Sequence, residues 1–97
     1  MTLQELADTF LDRHVASNRT IATLRHRLAR PLDQFGDVPV VELERMGDEL
    51  AAFETKLPER FRYAVMGALR QTLRAGVAYG YLGGSPVTWK NPQPAPA

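Results

Sequence analysis

The sequence predicts an all-α domain, on three observations. Apolar residues recur at spacings of three and four along most of the chain, which is the period of an amphipathic helix. No segment shows the alternation typical of a half-buried strand. The 97 residues are enough for one domain with one core. We therefore expect a bundle of four helices over residues 1–84, followed by an extended proline-rich linker over residues 85–97.

The first two helices are predicted from their caps and apolar stripes. Thr2 and Glu5 form an S/T-x-x-E capping box, which starts the first helix. Its apolar stripe consists of Leu3, Leu6, Ala7, Phe10, Leu11 and His14. Thr20 is the expected N-cap of the second helix, whose stripe contains Ile21, Leu24 and Leu28. Pro31 lies inside this stripe and is expected to kink or end the helix, because proline lacks an amide donor.

The second half of the chain predicts a short turn over residues 40–46 and two further helices. The third helix opens at Gly47-Asp48 and has an acidic exposed side, and Pro58 ends it. The fourth helix covers about residues 59–81. Its predicted inward face contains Phe61, Val65, Ala68, Leu69, Thr72, Gly76 and Tyr79. Glycine weakens a helix interior by about 1 kcal/mol relative to alanine, so the glycines of this helix indicate close approach of a neighbouring helix.

Charge is distributed in blocks that the net charge of +1 conceals. Segments 19–30 and 60–74 each hold four arginines and no acid, whereas segment 42–59 holds six acids against two bases. Arginines neutralise DNA phosphates and fork onto guanine, while Thr, Tyr and Gln reach phosphates or bases. If the two outward basic faces are neighbours, they form one DNA-binding surface. Its candidate contacts are Arg19, Thr20, Thr23, His26, Arg27, Arg30, Arg60, Tyr63, Arg70 and Arg74. The plainer alternative is that these arginines are solvent-exposed residues on the polar faces of amphipathic helices and bind no ligand.

Catalytic and metal chemistry find no support in the sequence. The chain has no cysteine and two histidines, so disulfides and thiolate metal sites are excluded, and we expect no cofactor. There is no Ser/His/Asp set, HExxH motif or P-loop. His14 belongs to an apolar stripe and is expected to be packed rather than catalytic. No apolar run approaches the roughly 20 residues of a membrane span, and no signal peptide is visible, so a cytoplasmic location is expected.

The order of several segments along the chain is similar to that of a known kind of domain. They are Thr2–His14, the Thr20-Ile21-Ala-Thr-Leu start, Leu32-Asp-Gln-Phe-Gly-Asp-Val-Pro-Val, Leu43 to Phe53 with Leu57, the Arg60-to-Gly80 helix, and Asn91-Pro92. This order, spread over about residues 2–92, resembles the N-terminal core-binding (SAM-like) domain of the tyrosine recombinase, or phage integrase, family.

The resemblance implies a four-helix domain that clamps one face of duplex DNA with its second and fourth helices. It implies that the catalytic tyrosine, with its arginine and histidine partners, lies in a separate domain beyond the linker. This chain would then be non-catalytic by itself, while the parent protein breaks and rejoins DNA strands in integration or recombination, together with other protomers. Fold does not fix function, and a second hypothesis is a protein–protein module that uses the acidic face of the third helix, including Glu49 and Glu54.

Overall fold

The computed structural model describes residues 1–83, and within them every regular element is a helix. The predicted all-α class is therefore confirmed. The helices are α1 (Leu3–Arg13), α2 (Asn18–Phe35), α3 (Val40–Leu43), α4 (Gly47–Lys56) and α5 (Glu59–Ala78). Residues 1–83 thus hold five helices rather than four, because part of the expected turn over residues 40–46 is helical. The predicted linker, residues 85–97, lies outside the described residues.

The helices α1, α2 and α5 pack on one another and enclose the first of two core clusters. That cluster contains Ala7, Phe10, Leu11, Leu24, Leu28 and Ala68. A second cluster joins α1 and α5 to α3 and α4 through residues such as Leu3, Leu43, Leu50, Phe53, Met66 and Leu69. Burial of apolar area stabilises a fold by roughly 25 cal/mol per Å². The second cluster therefore fixes α4 against one flank of α5, which decides the surroundings of two arginines described below.

The start of α1 has the predicted capping box. The Thr2 hydroxyl accepts a hydrogen bond from the Glu5 amide at 3.2 Å, and the Glu5 carboxylate accepts one from the Thr2 amide at 3.0 Å. Thr2 also forms an isolated antiparallel bridge with Pro39, and the Leu3 amide donates to the Val38 carbonyl at 3.0 Å. These bonds tie the start of α1 to the segment that leads into α3.

The start of α2 differs from the expectation, and the helix does not end at Pro31. The helix begins at Asn18 with Ser17 as its N-cap, since the Ser17 hydroxyl accepts from the Thr20 amide at 3.2 Å. Thr20 therefore lies in the first turn and is not the cap. Pro31 was expected to kink or end the helix, and of these two outcomes the ending is wrong, because the helix continues to Phe35. Proline removes only one amide donor, and burial of the Pro31 ring in the core offsets that loss.

The fourth predicted helix corresponds to α5, which ends at Ala78, three residues earlier than expected. Gly80 has a φ of 86°, a left-handed conformation that glycine adopts easily. Its amide donates to the Val77 carbonyl at 3.1 Å, and the Tyr81 amide donates to the Gly76 carbonyl at 2.9 Å. This is a Schellman C-cap. The chain then returns Leu82 to the core. None of the helices within residues 1–83 is long and apolar enough to cross a bilayer.

Candidate nucleic-acid interface

A groove between α2 and α5 brings the two acid-free segments together. One half is lined by residues that include His26, Arg27, Arg30 and Phe61. The other half has Arg27, Tyr63, Gln71 and Arg74 around a floor of Leu24, Ala64, Gly67 and Ala68. Arg27 and Ala64 line both halves, so the two halves form one continuous surface, here named the α2–α5 groove.

Among residues 1–83, no acidic residue lines either half of the α2–α5 groove. Arg30 also borders a neighbouring cleft, where it lies with Lys56 and Asp33. The cationic lining therefore continues from α2 and α5 towards the end of α4. Charge of one sign within a concave surface raises the local potential and favours anionic ligands.

The structure places the sequence-predicted residues in three groups. His26, Arg27, Arg30, Tyr63 and Arg74 line the groove. A second group, Arg19, Thr20 and Thr23, is exposed in the first turns of α2 but is not among the lining residues. Within it the Thr23 hydroxyl donates to the Arg19 carbonyl at 3.0 Å. The third group is Arg60 and Arg70. Arg60 lies over the ring of Phe61, and Arg70 is buried.

The expectation that Arg70 lies on the exposed basic face is wrong. Arg70 is 6% exposed, because α4 covers that flank of α5. Its Nη2 lies 3.8 Å from Glu54 Oε1, while Nε and Nη1 have no hydrogen-bond partner within the described part of the chain. Burial lowers the pKa of the Arg70 guanidinium below its ordinary value, and the Glu54 carboxylate opposes that shift. Arg70 is therefore part of the α4–α5 interface.

Phe61 was expected on the inward face of the last helix, and this expectation is also wrong. Its side chain is 39% exposed in the first turn of α5. The Arg60 Cζ lies 4.7 Å from the ring centroid and the Arg30 Cζ lies 5.2 Å from it. Guanidinium groups are attracted to the face of an aromatic ring. Phe61 thus holds one arginine from each helix at the edge of the groove. The sequence signal for this arrangement was an aromatic residue directly beside arginines in an acid-free segment.

Arg62 has a structural contact that the sequence analysis missed. Its Nε donates to the Glu54 carbonyl at 2.9 Å, and its Nη2 donates to the carbonyls of Thr55 at 3.1 Å and Leu57 at 3.0 Å. These carbonyls belong to the last turn of α4 and its C-cap, where few helical amides remain to bond them; the Glu54 carbonyl also accepts from the Leu57 amide at 3.2 Å. Two of the four arginines in segment 60–74, Arg62 and Arg70, therefore hold α4 on α5.

The remaining candidates are His14, possible metal ligands and the acids of α4. His14 is half-buried with its ring 5.0 Å from that of Phe10, as its place in the apolar stripe predicted. Over the described residues, no three His, Asp or Glu side chains come together as a possible metal site. On α4, Glu49 is exposed, whereas Glu54 is half-buried beside Arg70.

Comparisons with known proteins leave the family open. No protein-family model matches the chain, and neither the curated proteins nor the solved structures gave a significant match. The resemblance to core-binding domains therefore depends on the order of the sequence features described above.

Proposed function

We propose that the chain binds duplex DNA along the α2–α5 groove, as the SAM-like core-binding domain of a tyrosine-type site-specific recombinase. The observation that supports this most strongly is the convergence of two acid-free segments on one groove, with Arg27 and Arg30 from α2 and Arg74 from α5. Duplex DNA carries about one negative charge per 1.7 Å, and neutralising cations release condensed counterions. A groove with cations on both walls matches that charge density.

The lining also provides hydrogen-bonding groups that arginine alone does not. Guanidinium groups bind phosphate in a fixed bidentate geometry. The Tyr63 hydroxyl and the Gln71 amide, both on exposed residues of the groove wall, reach phosphate oxygens or base edges. Exposed acids such as Asp12 and Glu49 lie outside the lining. In this proposal DNA approaches the groove and the acidic surfaces repel it elsewhere.

The proposed role is non-catalytic. Strand breaking and rejoining, during DNA integration or recombination, would belong to a catalytic domain of the parent protein that carries the tyrosine nucleophile. The core-binding domain would hold the duplex against that domain and beside other protomers on the same DNA. Cytoplasmic location is part of the same proposal.

Binding of a labelled duplex, followed by fluorescence anisotropy over a range of salt concentrations, tests this proposal. We expect the logarithm of the affinity to fall linearly with the logarithm of the salt concentration. Arg27→Ala and Arg30→Ala should each weaken binding and reduce the steepness of that line by about 0.9. Arg45→Ala is the matched control, because Arg45 is exposed and does not line the groove. Absence of salt-dependent binding to any duplex, or an equal loss for Arg45→Ala, would contradict the proposal.

The alternative function, a protein–protein module on the acidic face of α4, has less exposed charge than the sequence suggested. Glu54 is half-buried and lies beside Arg70, which leaves Asp48 and Glu49 in the first turn. Acids in a first turn also stabilise the helix dipole, which accounts for them without a partner. Glu49→Lys is the discriminating change, since reversal at Glu54 would disturb Arg70. Unchanged DNA binding by Glu49→Lys is expected under the proposed function.

A further inference from the structure

The floor of the α2–α5 groove has a notch at Gly67. A Cβ added to Gly67 would meet no neighbouring heavy atom of residues 1–83 within 4 Å. Leu24, Ala64 and Ala68 form the surrounding floor, and Arg27 and Arg74 line the same half of the groove. The space above Gly67, here named the Gly67 notch, is therefore apolar at its base, cationic at its rim and unfilled by residues 1–83.

The fold itself does not require glycine at this position. Gly80 adopts a positive φ, and a Cβ at Gly76 would lie 2.8 Å from Leu6 Cδ2, so those two glycines are needed within the domain. Gly67 has neither a positive φ nor a close neighbour. It lies in the middle of α5, where glycine is less favourable than alanine. Packing within residues 1–83 therefore does not account for glycine at this position.

We propose that the Gly67 notch seats one deoxyribose of a DNA strand, with the phosphates on either side of that sugar held by Arg27 and Arg74. This inference rests on the proposed function and names the part of the DNA that enters the groove. In a duplex the bases are stacked inside, and the sugar–phosphate backbone is the convex ridge that a concave groove receives. The sugar presents an apolar surface to Leu24 and Ala64, while its phosphates meet the cationic rim.

Two consequences follow from a sugar in the notch. Contacts to sugar and phosphate position a protein on DNA and carry no direct sequence information. The seated nucleotide therefore fixes the register of the strand along α5 whatever its base. A side chain that fills the notch would lift the strand away from Arg27 and Arg74 together, although it alters no charge.

The test is Gly67→Leu, with Ala52→Leu as the matched control in α4, where Ala52 is exposed and outside the groove. Anisotropy titrations over a range of salt use two duplexes of unrelated sequence. We expect Gly67→Leu to weaken both complexes by about tenfold or more, as substitution at a packed interface centre does. The steepness of the salt dependence should fall by about 1.8, corresponding to two lost phosphate contacts. Ala52→Leu should bind like the unsubstituted chain.

Further variants separate this inference from the proposed function. In a chain that already carries Arg27→Ala and Arg74→Ala, Gly67→Leu should cause little additional loss, since the lifted contacts are already gone. If Gly67→Leu fails to fold, Gly67→Ala replaces it, with a smaller loss of the same kind expected.

Three results would overturn the inference in distinguishable ways. If Arg27→Ala weakens binding and Gly67→Leu leaves affinity and salt dependence unchanged, the notch is unoccupied and DNA binding stands. A loss confined to one duplex sequence would mean that a base, not a sugar, occupies the notch. Absence of salt-dependent binding by the unsubstituted chain would overturn the proposed function, and the inference with it.

Discussion

Arg70 on α5 faces Glu54 on α4, with the Arg70 Nη2 3.8 Å from the Glu54 Oε1. The Arg70 side chain is 7% exposed and that of Glu54 is 27% exposed. Two further guanidinium nitrogens of Arg70 have no hydrogen-bond partner among residues 1–83. Desolvation of a charge in such a place offsets most of the attraction to its partner. We therefore expect the attraction within the pair to contribute little net free energy of unfolding.

This pair predicts unequal losses when either partner is removed. Arg70→Met removes the buried charge and keeps an unbranched apolar side chain, so the free energy of unfolding should change by less than about 1 kcal/mol. Glu54→Ala leaves the buried guanidinium without its carboxylate and should lower that free energy by about 2 kcal/mol. Urea denaturation measures both values. Similar losses for the two variants would show that the attraction outweighs the desolvation.

Arg60 and Arg62 lie two residues apart in one acid-free segment, but substitution by alanine should affect mainly DNA binding at Arg60 and mainly stability at Arg62. Arg62→Ala removes three hydrogen bonds to carbonyls at the end of α4, so we expect a loss of stability of about 2 kcal/mol. Arg60 lies over the exposed ring of Phe61 and bonds no such carbonyl, so Arg60→Ala should cost less than about 0.5 kcal/mol of stability and weaken duplex binding.

Thermal denaturation and anisotropy titration of both variants separate these two roles. Once folded, Arg62→Ala should keep the salt dependence of the unsubstituted chain. An equal loss of stability in the two variants would contradict the assignment of Arg62 to capping α4 and of Arg60 to the surface.

The sequence was sufficient for the four longer helices and for part of the groove. The capping box of Thr2 and Glu5 was predictable because both partners lie within one helical turn. The absence of acids from segments 19–30 and 60–74 was readable directly, and α2 and α5 do pack together. Local patterns of this kind depend only on residues that are close together in the sequence, so they can be predicted from it.

The misplaced arginines depended on tertiary contacts instead. On a helix of 3.6 residues per turn, Arg70 and Arg74 are only about 40° apart, so periodicity assigned both to one face. The position of α4 decides between them, because α4 covers Arg70 and leaves Arg74 exposed. Phe61 was misplaced for a related reason. Its helical angle suits the core, but it lies in the first turn of α5, where two arginines cover the ring instead of apolar neighbours.

Phe61→Leu should weaken DNA binding although it removes no charge. The ring holds the guanidinium groups of Arg30 and Arg60 at the edge of the groove, and leucine offers them no π face. Cation–π contacts at exposed sites contribute about 0.5–1 kcal/mol, which corresponds to roughly a two- to fivefold loss of affinity. Phe61→Tyr keeps the ring and serves as the control in anisotropy titrations. Equal affinities for the leucine and tyrosine variants would show that the ring does not position these arginines.

The capping box makes stability depend on pH in the acidic range. The Thr2 amide and, to a smaller extent, the Thr2 side chain hold the pKa of the Glu5 carboxyl below its ordinary value of 4.5. The folded-state pKa is the lower one, so the stabilisation is complete above 4.5 and disappears as the pH falls through the folded-state value. Glu5→Gln should therefore be less stable than the unsubstituted chain at neutral pH and nearly equal to it well below pH 4.5. Denaturation curves at several pH values measure the difference in free energy of unfolding between the two proteins. A difference that does not change with pH across this range would contradict the prediction.

Gly67→Ala and Gly76→Ala should change stability in opposite directions. At Gly67 the new methyl group meets no neighbouring atom within 4 Å, so the gain in helix propensity should raise the free energy of unfolding by up to about 1 kcal/mol. At Gly76 it would lie 2.8 Å from Leu6 Cδ2 and 3.0 Å from Leu82 Cδ1, both on buried residues. Forcing buried side chains apart costs about 1–3 kcal/mol, which exceeds the same gain in propensity. Denaturant titration of the two variants checks the prediction, and a stabilised Gly76→Ala would show that α1 does not approach α5 as closely as described.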